Sequence, residues 1–154
     1  MFQIEYSLDG PIPPKESDVN EVSLRYELFT GGILLKDNNN QIEINWGWVP
    51  VLDFGYCLTE ICRSLTNMSG EFKEFEFTES GEKVMFRKES NKLNITTTFS
   101  DICLSVDFEE FKSGVKMFYL GLIANILKIW KNAENNNDFL IYLKRNQEIN
   151  RFGL

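Results

Sequence analysis

Three pairs of turn-forming residues fall ten residues apart in the middle of this chain, and their spacing constrains the fold more than any other feature. The pairs are Ser80-Gly81, Ser90-Asn91 and Ser100-Asp101. Two-residue turns in antiparallel hairpins set the register of the strands that they connect. The spacing therefore predicts a meander of four sequential antiparallel strands over residues 71–106.

This register gives the predicted meander one apolar face and one polar face. The expected cross-strand pairs are Phe77 with Val84, Phe75 with Phe86, Phe86 with Ile95, Val84 with Thr97, Ile95 with Val106, Thr97 with Leu104 and Phe99 with Ile102. The opposite face carries Glu74, Glu76, Thr78, Lys83, Arg87, Asn94, Thr96, Thr98 and Ser105. An antiparallel sheet with this pattern covers a core with one face and meets water with the other.

The N-terminal third predicts a second, smaller meander, with strands between residues 2 and 46. Alternating apolar residues mark its strands: Ile4, Tyr6 and Leu8, then Val22, Leu24, Tyr26 and Leu28, then Ile33 and Leu35, then Ile42, Ile44 and Trp46. We expect a loop from Gly10 to Pro14 and a hairpin turn at Gly31-Gly32. That turn would place Leu28 opposite Leu35, and the Asn-rich loop after it would place Leu35 opposite Ile42 and Ile33 opposite Ile44.

Two segments change to the helical period. Residues 50–67 carry an apolar stripe, with Pro50 in the first turn and a stop signal at Gly70. Residues 107–132 carry a broader stripe, and Asp107 with Glu110 forms a predicted capping box at its start. A short C-terminal segment over residues 138–150 is the last expected element, with Asp138 as its cap.

The order of these elements predicts the fold class. Strands run in blocks and do not alternate with helices, so we expect an α+β fold: antiparallel meander sheets of about seven to eight strands packed with two main helices. At 154 residues the chain has the size of one ordinary domain, so we treat residues 1–154 as a single domain.

The sequence argues against most enzyme chemistry. It contains no His, which removes the commonest general base and most metal sites. Its three cysteines, Cys57, Cys62 and Cys103, lack metal-ligand spacing and a nearby base. No glycine-rich phosphate loop is present. We therefore expect a protein that is not an enzyme and that uses no metal or cofactor; a hydrolase working through its carboxylates is a less favoured alternative.

Charge and hydropathy narrow the choice of partner. The formal net charge of −7 opposes binding to nucleic acid or to an anionic membrane and favours a cationic partner. The longest apolar stretch, residues 115–130, is interrupted by Lys116, Asn125 and Lys128, which favours a buried helix. The N-terminus has no secretory pattern, so we expect a cytoplasmic location. Trp46, Trp48 and Tyr56 either plug the core at a strand-to-helix corner or form a binding platform.

Three stretches resemble a known group of proteins. They are the residues Val49 to Phe54, the residues Glu76 to Ser80, and the run Asp107-Phe108-Glu109-Glu110-Phe111 that opens a helix. With the paired hairpin between them, they resemble small bacterial immunity-type proteins encoded beside polymorphic toxins, including contact-dependent growth inhibition systems. The resemblance covers residues 22–130 as a pattern of elements, and it carries no functional residue with it.

The resemblance implies a cytoplasmic protein that binds a cognate toxin domain, a cationic nuclease, and blocks its active site. The register suggests which carboxylates would make the contact. The candidate partner-binding residues are Glu74, Glu76, Glu79 and Glu82 on the first hairpin, followed by Asp101 and Glu109. A ligand-binding or adaptor domain with an apolar pocket is the alternative from another class.

Overall fold

The structure is a computed structural model, and it describes residues 1–10, 13–67 and 71–154. The fold is α+β, as predicted, and the described residues form seven strands in two antiparallel sheets. Sheet A has the order β1-β2-β3, and sheet B has the order β4-β5-β6-β7. The strands are β1 (Gln3–Leu8), β2 (Thr30–Lys36), β3 (Gln41–Pro50), β4 (Phe72–Glu76), β5 (Lys83–Glu89), β6 (Lys92–Thr97) and β7 (Leu104–Asp107). The α-helices are α1 (Glu21–Tyr26), α2 (Val51–Thr66), α3 (Phe108–Ile129) and α4 (Leu140–Phe152).

The middle turn of the predicted meander is confirmed. Across Ser90-Asn91, Phe86 pairs with Ile95 and Val84 with Thr97, as a two-residue turn requires. Ser90 has a φ of 55°, the left-handed conformation that tight hairpin turns use. The prediction that four sequential strands lie between residues 71 and 106 is therefore right in order and direction.

The first and third turns are longer than predicted, and each shifts the register by two residues. Phe75 pairs with Val84, because the Phe77 N–H donates to the Glu82 carbonyl at 2.8 Å and leaves four residues in the turn. Ile95 pairs with Leu104, since β6 ends at Thr97 and a connection of residues 98–103 follows. A shift of two residues keeps every side chain on its predicted face.

The predicted apolar face is therefore correct within the strands, although two registers are wrong. Its buried side chains include Phe75, Phe77, Val84, Phe86, Ile95 and Val106. Ile102, predicted opposite Phe99 on the same face, is 40% exposed because it lies in the connection between β6 and β7. Phe99, expected to extend β6, instead packs its ring edge-on against Trp46 with centroids 5.1 Å apart. This contact lies where sheet A approaches sheet B.

Two predictions for the N-terminal sheet are wrong. Residues 22–26, expected as a strand, belong to helix α1, which Asn20 and Ser23 cap reciprocally. Gly31-Gly32, expected as a hairpin turn, lies inside β2, where Leu8 pairs with Gly31. A Cβ atom at Gly31 would meet the Ser7 carbonyl oxygen at 1.9 Å, so these glycines allow close strand approach.

Of the three other pairings predicted for sheet A, one is wrong and two are confirmed. Leu28 does not face Leu35, because it lies outside the strands. The pairs Leu35 with Ile42 and Ile33 with Ile44 are confirmed.

The predicted helices are present with small changes at their ends. Pro50 ends β3 and is the N-cap of α2 rather than a residue of its first turn, and Gly70 lies outside the described residues. Asp107 caps α3 by accepting from the Glu109 N–H at 2.9 Å. The predicted capping box is wrong, because the Glu110 carboxylate does not bond back to Asp107 and lies 3.7 Å from the Met1 amino group.

The C-terminal segment is a helix, α4, whose N-cap is Phe139 without a side-chain hydrogen bond, so the predicted cap at Asp138 is wrong. Asn136 instead holds the turn that precedes the helix. The Asn136 side chain accepts hydrogen bonds from the N–H groups of Asp138 and Phe139, each at 3.0 Å. The predicted loop from Gly10 to Pro14 includes Pro11 and Ile12, which lie outside the described residues.

Helices α2 and α3 connect the two sheets. Helix α2 contacts β2 and β4, helix α3 contacts β1, β6 and β7, and the two helices contact each other. The inner faces of both sheets and the apolar stripes of both helices form one continuous core. Strands β1 and β4 lie at sheet edges, so one side of each strand has no partner strand in these sheets. No helix among the described residues has the length and apolar character needed to cross a membrane.

Candidate partner-binding site

Two of the predicted partner-binding residues lie on the free edge of sheet B. The ladder bonds at Phe77 to Glu82 and at Lys88 to Glu71 mark the hydrogen-bonded pairs between β4 and β5. Because such pairs alternate along antiparallel strands, the backbone groups of Glu74 and Glu76 point away from β5. Both side chains are exposed on the outer face of the sheet. This edge therefore presents carboxylates and backbone hydrogen-bonding groups together.

One lysine lies among these carboxylates. The Lys83 ammonium is 2.9 Å from Glu74 and 3.7 Å from Glu76. The hydrogen bond to Glu74, and then the charge of that carboxylate, raise the pKa of Lys83. Lys83 thus stays protonated and offsets part of the negative charge of the two glutamates. The pair is solvent-exposed, so we assign it little weight in stability.

The next two predicted residues flank the turn between β4 and β5. Glu79 is exposed and makes no ion pair or hydrogen bond with the described residues. The Glu82 carboxylate accepts a hydrogen bond from the Thr98 hydroxyl, which in turn accepts from the Lys83 N–H at 2.9 Å. We call Glu74, Glu76, Glu79 and Glu82 the acidic edge.

The structure does not bring all six predicted residues together. Asp101 is exposed in the connection after Thr98, at the end of sheet B that holds the turn of the acidic edge. Glu109 follows β7 at the opposite end, where Asp107 pairs with Lys92. Its carboxylate lies 2.8 Å from the Lys112 ammonium. Glu109 therefore belongs to a different surface from the acidic edge.

Two of the three thiols are held in their protonated form by burial. Burial raises the pKa of Cys57 to about 12 and moves the pKa of Cys62 further upward. A thiol with a raised pKa is a poor nucleophile near neutral pH. Cys103 is the exposed cysteine. Among residues 1–10, 13–67 and 71–154, no cluster of three His, Cys, Asp or Glu side chains is arranged to hold a metal ion.

The aromatic residues at the strand-to-helix corner, Trp46, Trp48 and Tyr56, mostly pack against other residues of the protein. The Trp46 ring lies between Phe77 and Phe99, with both centroids at 5.1 Å. Trp48 keeps 39% of its surface exposed beside Trp46. Tyr56 lies under the guanidinium of Arg145, which is 4.6 Å from the ring centroid. Of the three aromatic residues, Trp48 is thus the one available to a partner.

Sequence reasoning missed a groove between β1 and helix α3, with a volume of about 660 Å³. Met117, one of its lining residues, is 77% exposed. One signal for this groove is present in the sequence, since the apolar stripe of α3 is wider than a single packing contact needs. We call this surface the β1–α3 groove. Its lining residues are Met1, Phe2, Gln3, Ile4, Glu5, Tyr6, Glu109, Glu110, Ser113, Gly114, Met117, Phe118 and Gly121.

Comparisons of the chain with protein-family models, with curated proteins and with solved structures returned no match. Function is therefore inferred from the surface residues described above.

Proposed function

We propose that this protein is a non-enzymatic immunity protein that binds a cognate toxin domain, a nuclease with a basic substrate cleft, and blocks its active site. The acidic edge carries the proposal, because four carboxylates gather on a free strand edge and its turn with Lys83 among them. The resemblance to immunity-type proteins suggests the class of partner. A protein of this kind would act in the cytoplasm, where an incoming nuclease meets its substrate.

Electrostatic steering gives the acidic edge its expected effect on binding. Carboxylates that face a basic cleft raise the association rate of a complex and imitate the charge of the phosphates that the cleft accepts. Salt screens such exposed charges over a Debye length of about 8 Å at physiological ionic strength. Association with the toxin should therefore slow as salt increases from about 50 to about 500 mM.

The test starts from the open reading frame directly upstream of the gene. Its C-terminal domain would be expressed in cells with and without this protein, and growth would report protection. The double variant Glu74→Lys, Glu79→Lys should lose protection and associate more slowly, while circular dichroism shows an unchanged fold. A matched control is Glu43→Lys, Glu134→Lys, which makes the same charge change at exposed residues outside the acidic edge.

Two outcomes would count against the proposal in different ways. Full protection by the Glu74→Lys, Glu79→Lys variant, together with salt-independent association, would rule out the acidic edge as the contact surface. Absence of any complex with the upstream domain would rule out the immunity function itself.

Protection should also survive removal of metals and alkylation of accessible thiols in the folded protein. Cys57 and Cys62 react slowly because burial raises the pKa of each thiol, and Cys103 lies outside the acidic edge. Loss of protection after chelation or alkylation, with the fold intact, would remove the main argument against a catalytic function.

A ligand-binding or adaptor domain is the second candidate, and the β1–α3 groove favours it. A volume of about 660 Å³ falls within the range of small-molecule and peptide sites. The same groove also fits an immunity protein that contacts its partner at two places.

A further inference from the structure

We infer that a cavity between helices α1 and α2 and the start of α4 binds the guanidinium group of an alkylguanidinium, such as an arginine side chain. The cavity has a volume of about 480 Å³. We call it the Asp53 pocket, and its lining includes Glu21, Arg25, Asp53, Tyr56, Asp138 and Ile141. The inference does not rest on the proposed function, because it concerns the binding of a small cation to this chain alone.

Asp53 is a buried carboxylate in the wall of this pocket, and it lacks a full set of partners. Its side chain is 9% exposed. Among the described residues its one hydrogen-bond and ion-pair partner is Arg25, whose Nε lies 3.4 Å from Oδ1. The two oxygens of a carboxylate together accept about four hydrogen bonds. Asp53 can therefore accept donors from a second cation.

The Arg25 guanidinium does not compensate the burial of Asp53. The Arg25 side chain is 44% exposed, so water screens its charge. Burial raises the pKa of the Asp53 carboxyl above its ordinary value, although the charge and the hydrogen bond of Arg25 act to lower that pKa. A carboxylate that is well paired with an arginine has a lowered pKa instead. A second cation would therefore stabilise the ionised form of Asp53.

The pocket as a whole has an excess of negative charge. Its charged lining residues are three carboxylates and one guanidinium: Glu21, Asp53, Asp138 and Arg25. Glu21 and Asp138 are exposed and form no ion pair with the described residues. A ligand with a carboxylate or phosphate would meet like charges, and a neutral ligand would leave the charge of Asp53 uncompensated. The pocket therefore selects a cation.

One more arginine lies near the pocket but does not change this balance. The Arg145 guanidinium is 4.6 Å from the centroid of the Tyr56 ring. Glu60 and Glu148 both form ion pairs with it, so its charge is already compensated. Its contact with Tyr56 also shows that this aromatic ring accepts a guanidinium beside it.

The lining favours an organic cation over a metal ion. In the described part of the chain, no three His, Cys, Asp or Glu side chains are arranged to hold a metal, so the three carboxylates of the pocket do not share one. Tyr56, Tyr142 and Ile141 instead provide apolar walls for an alkyl chain. A guanidinium is more weakly hydrated than an ammonium, so it is the easier cation to bury beside Asp53.

The Asp53 pocket is next to the acidic edge. A second cavity, of about 380 Å³, shares Arg25, Asp53 and Cys57 with it and extends to Glu74 and Glu76. An arginine side chain of a protein on the acidic edge is therefore one source of the guanidinium, and a free alkylguanidinium is the other.

The first experiment titrates butylguanidinium into the full chain near neutral pH and follows amide and methyl chemical shifts. Binding should saturate and should shift the resonances of Asp53, Tyr56 and Ile141. Butylurea has the same shape without the charge and should cause no shifts. Absence of saturable binding, or equal binding of butylurea, would overturn the inference.

Variants test the carboxylates. Asp53→Asn removes the buried charge and keeps the shape of the side chain, so it should weaken binding of butylguanidinium at least about tenfold, equivalent to about 1.4 kcal/mol. The double variant Glu21→Gln, Asp138→Asn changes exposed residues and should also weaken binding. Its control, Glu43→Gln, Asp101→Asn, makes the same charge change at exposed residues outside the pocket and should leave the affinity unchanged.

Circular dichroism of each variant checks the fold, and the exposed double variant decides the test if Asp53→Asn unfolds the chain. Wild-type affinity in the variants that fold would overturn the inference. Shifts confined to residues 72–82 would also overturn it, because they would place the cation on the acidic edge, and they would leave the proposed function standing.

Two further ligands define the cation. Nα-acetyl-arginine amide that binds as tightly as butylguanidinium would support an arginine side chain of a protein as the source, and binding at least about tenfold weaker would support a free alkylguanidinium. Butylammonium should bind more weakly than butylguanidinium, because an ammonium is more strongly hydrated. Equal affinity for the two cations would overturn the assignment to a guanidinium.

Discussion

At the scale of single residues, a buried lysine ties sheet B to the end of a helix. Lys88 is 8% exposed, and its ammonium donates to the Leu65 carbonyl at 2.7 Å and to the Thr66 carbonyl at 3.5 Å. These carbonyls belong to the last turn of α2, where a cation also interacts favourably with the helix dipole. The Phe108 ring lies 4.4 Å from the ammonium. Lys88 therefore has a structural role.

Replacing Lys88 by Met should cost about 1.5 to 3 kcal/mol of folding free energy, the value of hydrogen bonds to a charged group. The methionine keeps an apolar stem on Phe108 but leaves the two carbonyls of α2 without their donor. Urea unfolding measures the change. Lys92→Met, at an exposed position of β6, is the control and should change stability by less than about 0.5 kcal/mol. Equal effects of the two variants would contradict the role of Lys88.

Phe86 tests the predicted core directly. Its side chain is completely buried, and its ring centroid lies 5.7 Å from that of Phe111 on α3. Phe86→Ala should destabilise the fold by about 3 to 5 kcal/mol, because the truncation leaves a cavity between sheet B and helix α3. Phe152→Ala removes an aromatic ring that is 83% exposed and should have little effect in the same unfolding assay. A small loss for Phe86→Ala would mean that the core collapses around the cavity.

The sequence indicates whether a residue such as Phe86 or Lys88 is buried, but it does not indicate which distant residue it contacts. Phe86 and Lys88 both occupy inward positions of β5, so alternation alone indicates that each is buried. The partner of Lys88 is out of reach of such reasoning, because Leu65 is far away in the chain. The same holds for the buried Arg145, whose guanidinium bonds to Thr59 and Glu60 on α2.

At the scale of elements, helix α1 shows how local capping can override an alternating pattern. Val22, Leu24 and Tyr26 alternate as a strand would, yet Leu24 is buried and Val22 is 59% exposed on a helix. The Ser23 N–H donates to the Asn20 side chain at 2.9 Å, and the Asn20 N–H donates to the Ser23 hydroxyl at 2.9 Å. In so short a segment both periods fit, and the cap decides.

The Asn20 cap of α1 should contribute to the stability of the fold. Asn20→Ala removes the acceptor for the Ser23 N–H and should cost about 0.5 to 2 kcal/mol in thermal or urea unfolding. Asn20→Asp keeps an acceptor at the N-cap and should be close to wild type. If both variants were equally stable, the capping interaction would not be what fixes α1.

Turn length is the part of the meander that the sequence did not determine. The middle turn has two residues, as predicted, but the first turn has four and the third connection has six. Ser-Gly and Ser-Asp pairs fit several turn types, so they locate a turn without setting its length. At the third connection the deciding contact is Phe99 on Trp46, a residue of the other sheet.

At the scale of the whole molecule, two antiparallel sheets are joined through α2 and α3, and the two edges described differ in character. The edge of β4 carries carboxylates, and the edge of β1 faces an apolar groove. Sequence pattern predicted the class of fold from the order of strands and helices, and it predicted the exposed face of Glu74 and Glu76 from alternation within one hairpin. It could not predict the groove, since β1 and α3 come from opposite halves of the chain and meet only in the folded protein.

The whole fold should lose stability at alkaline pH. Burial raises the pKa of the Cys57 thiol to about 12, and it raises the pKa of Cys62, Tyr119 and Tyr142 as well. In the unfolded chain thiols lose their protons near pH 8.5 and phenols near pH 10, with ~1.4 kcal/mol for each unit of pKa difference. The folded state keeps these protons longer, so the unfolded state binds fewer protons and stability falls as pH rises above about 8.5.

Urea unfolding at about pH 7, 8.5 and 10 measures this loss, which should continue until the folded groups themselves ionise. Cys62 is fully buried, so it alone should account for about 2 kcal/mol between pH 7 and pH 10. Cys62→Ala should reduce the slope of stability against pH, even though the variant begins less stable because it leaves a small cavity. Cys103→Ala, at the exposed cysteine, should leave the slope unchanged. A free energy of unfolding that stays constant up to pH 10 would show that the thiols and phenols ionise equally in both states.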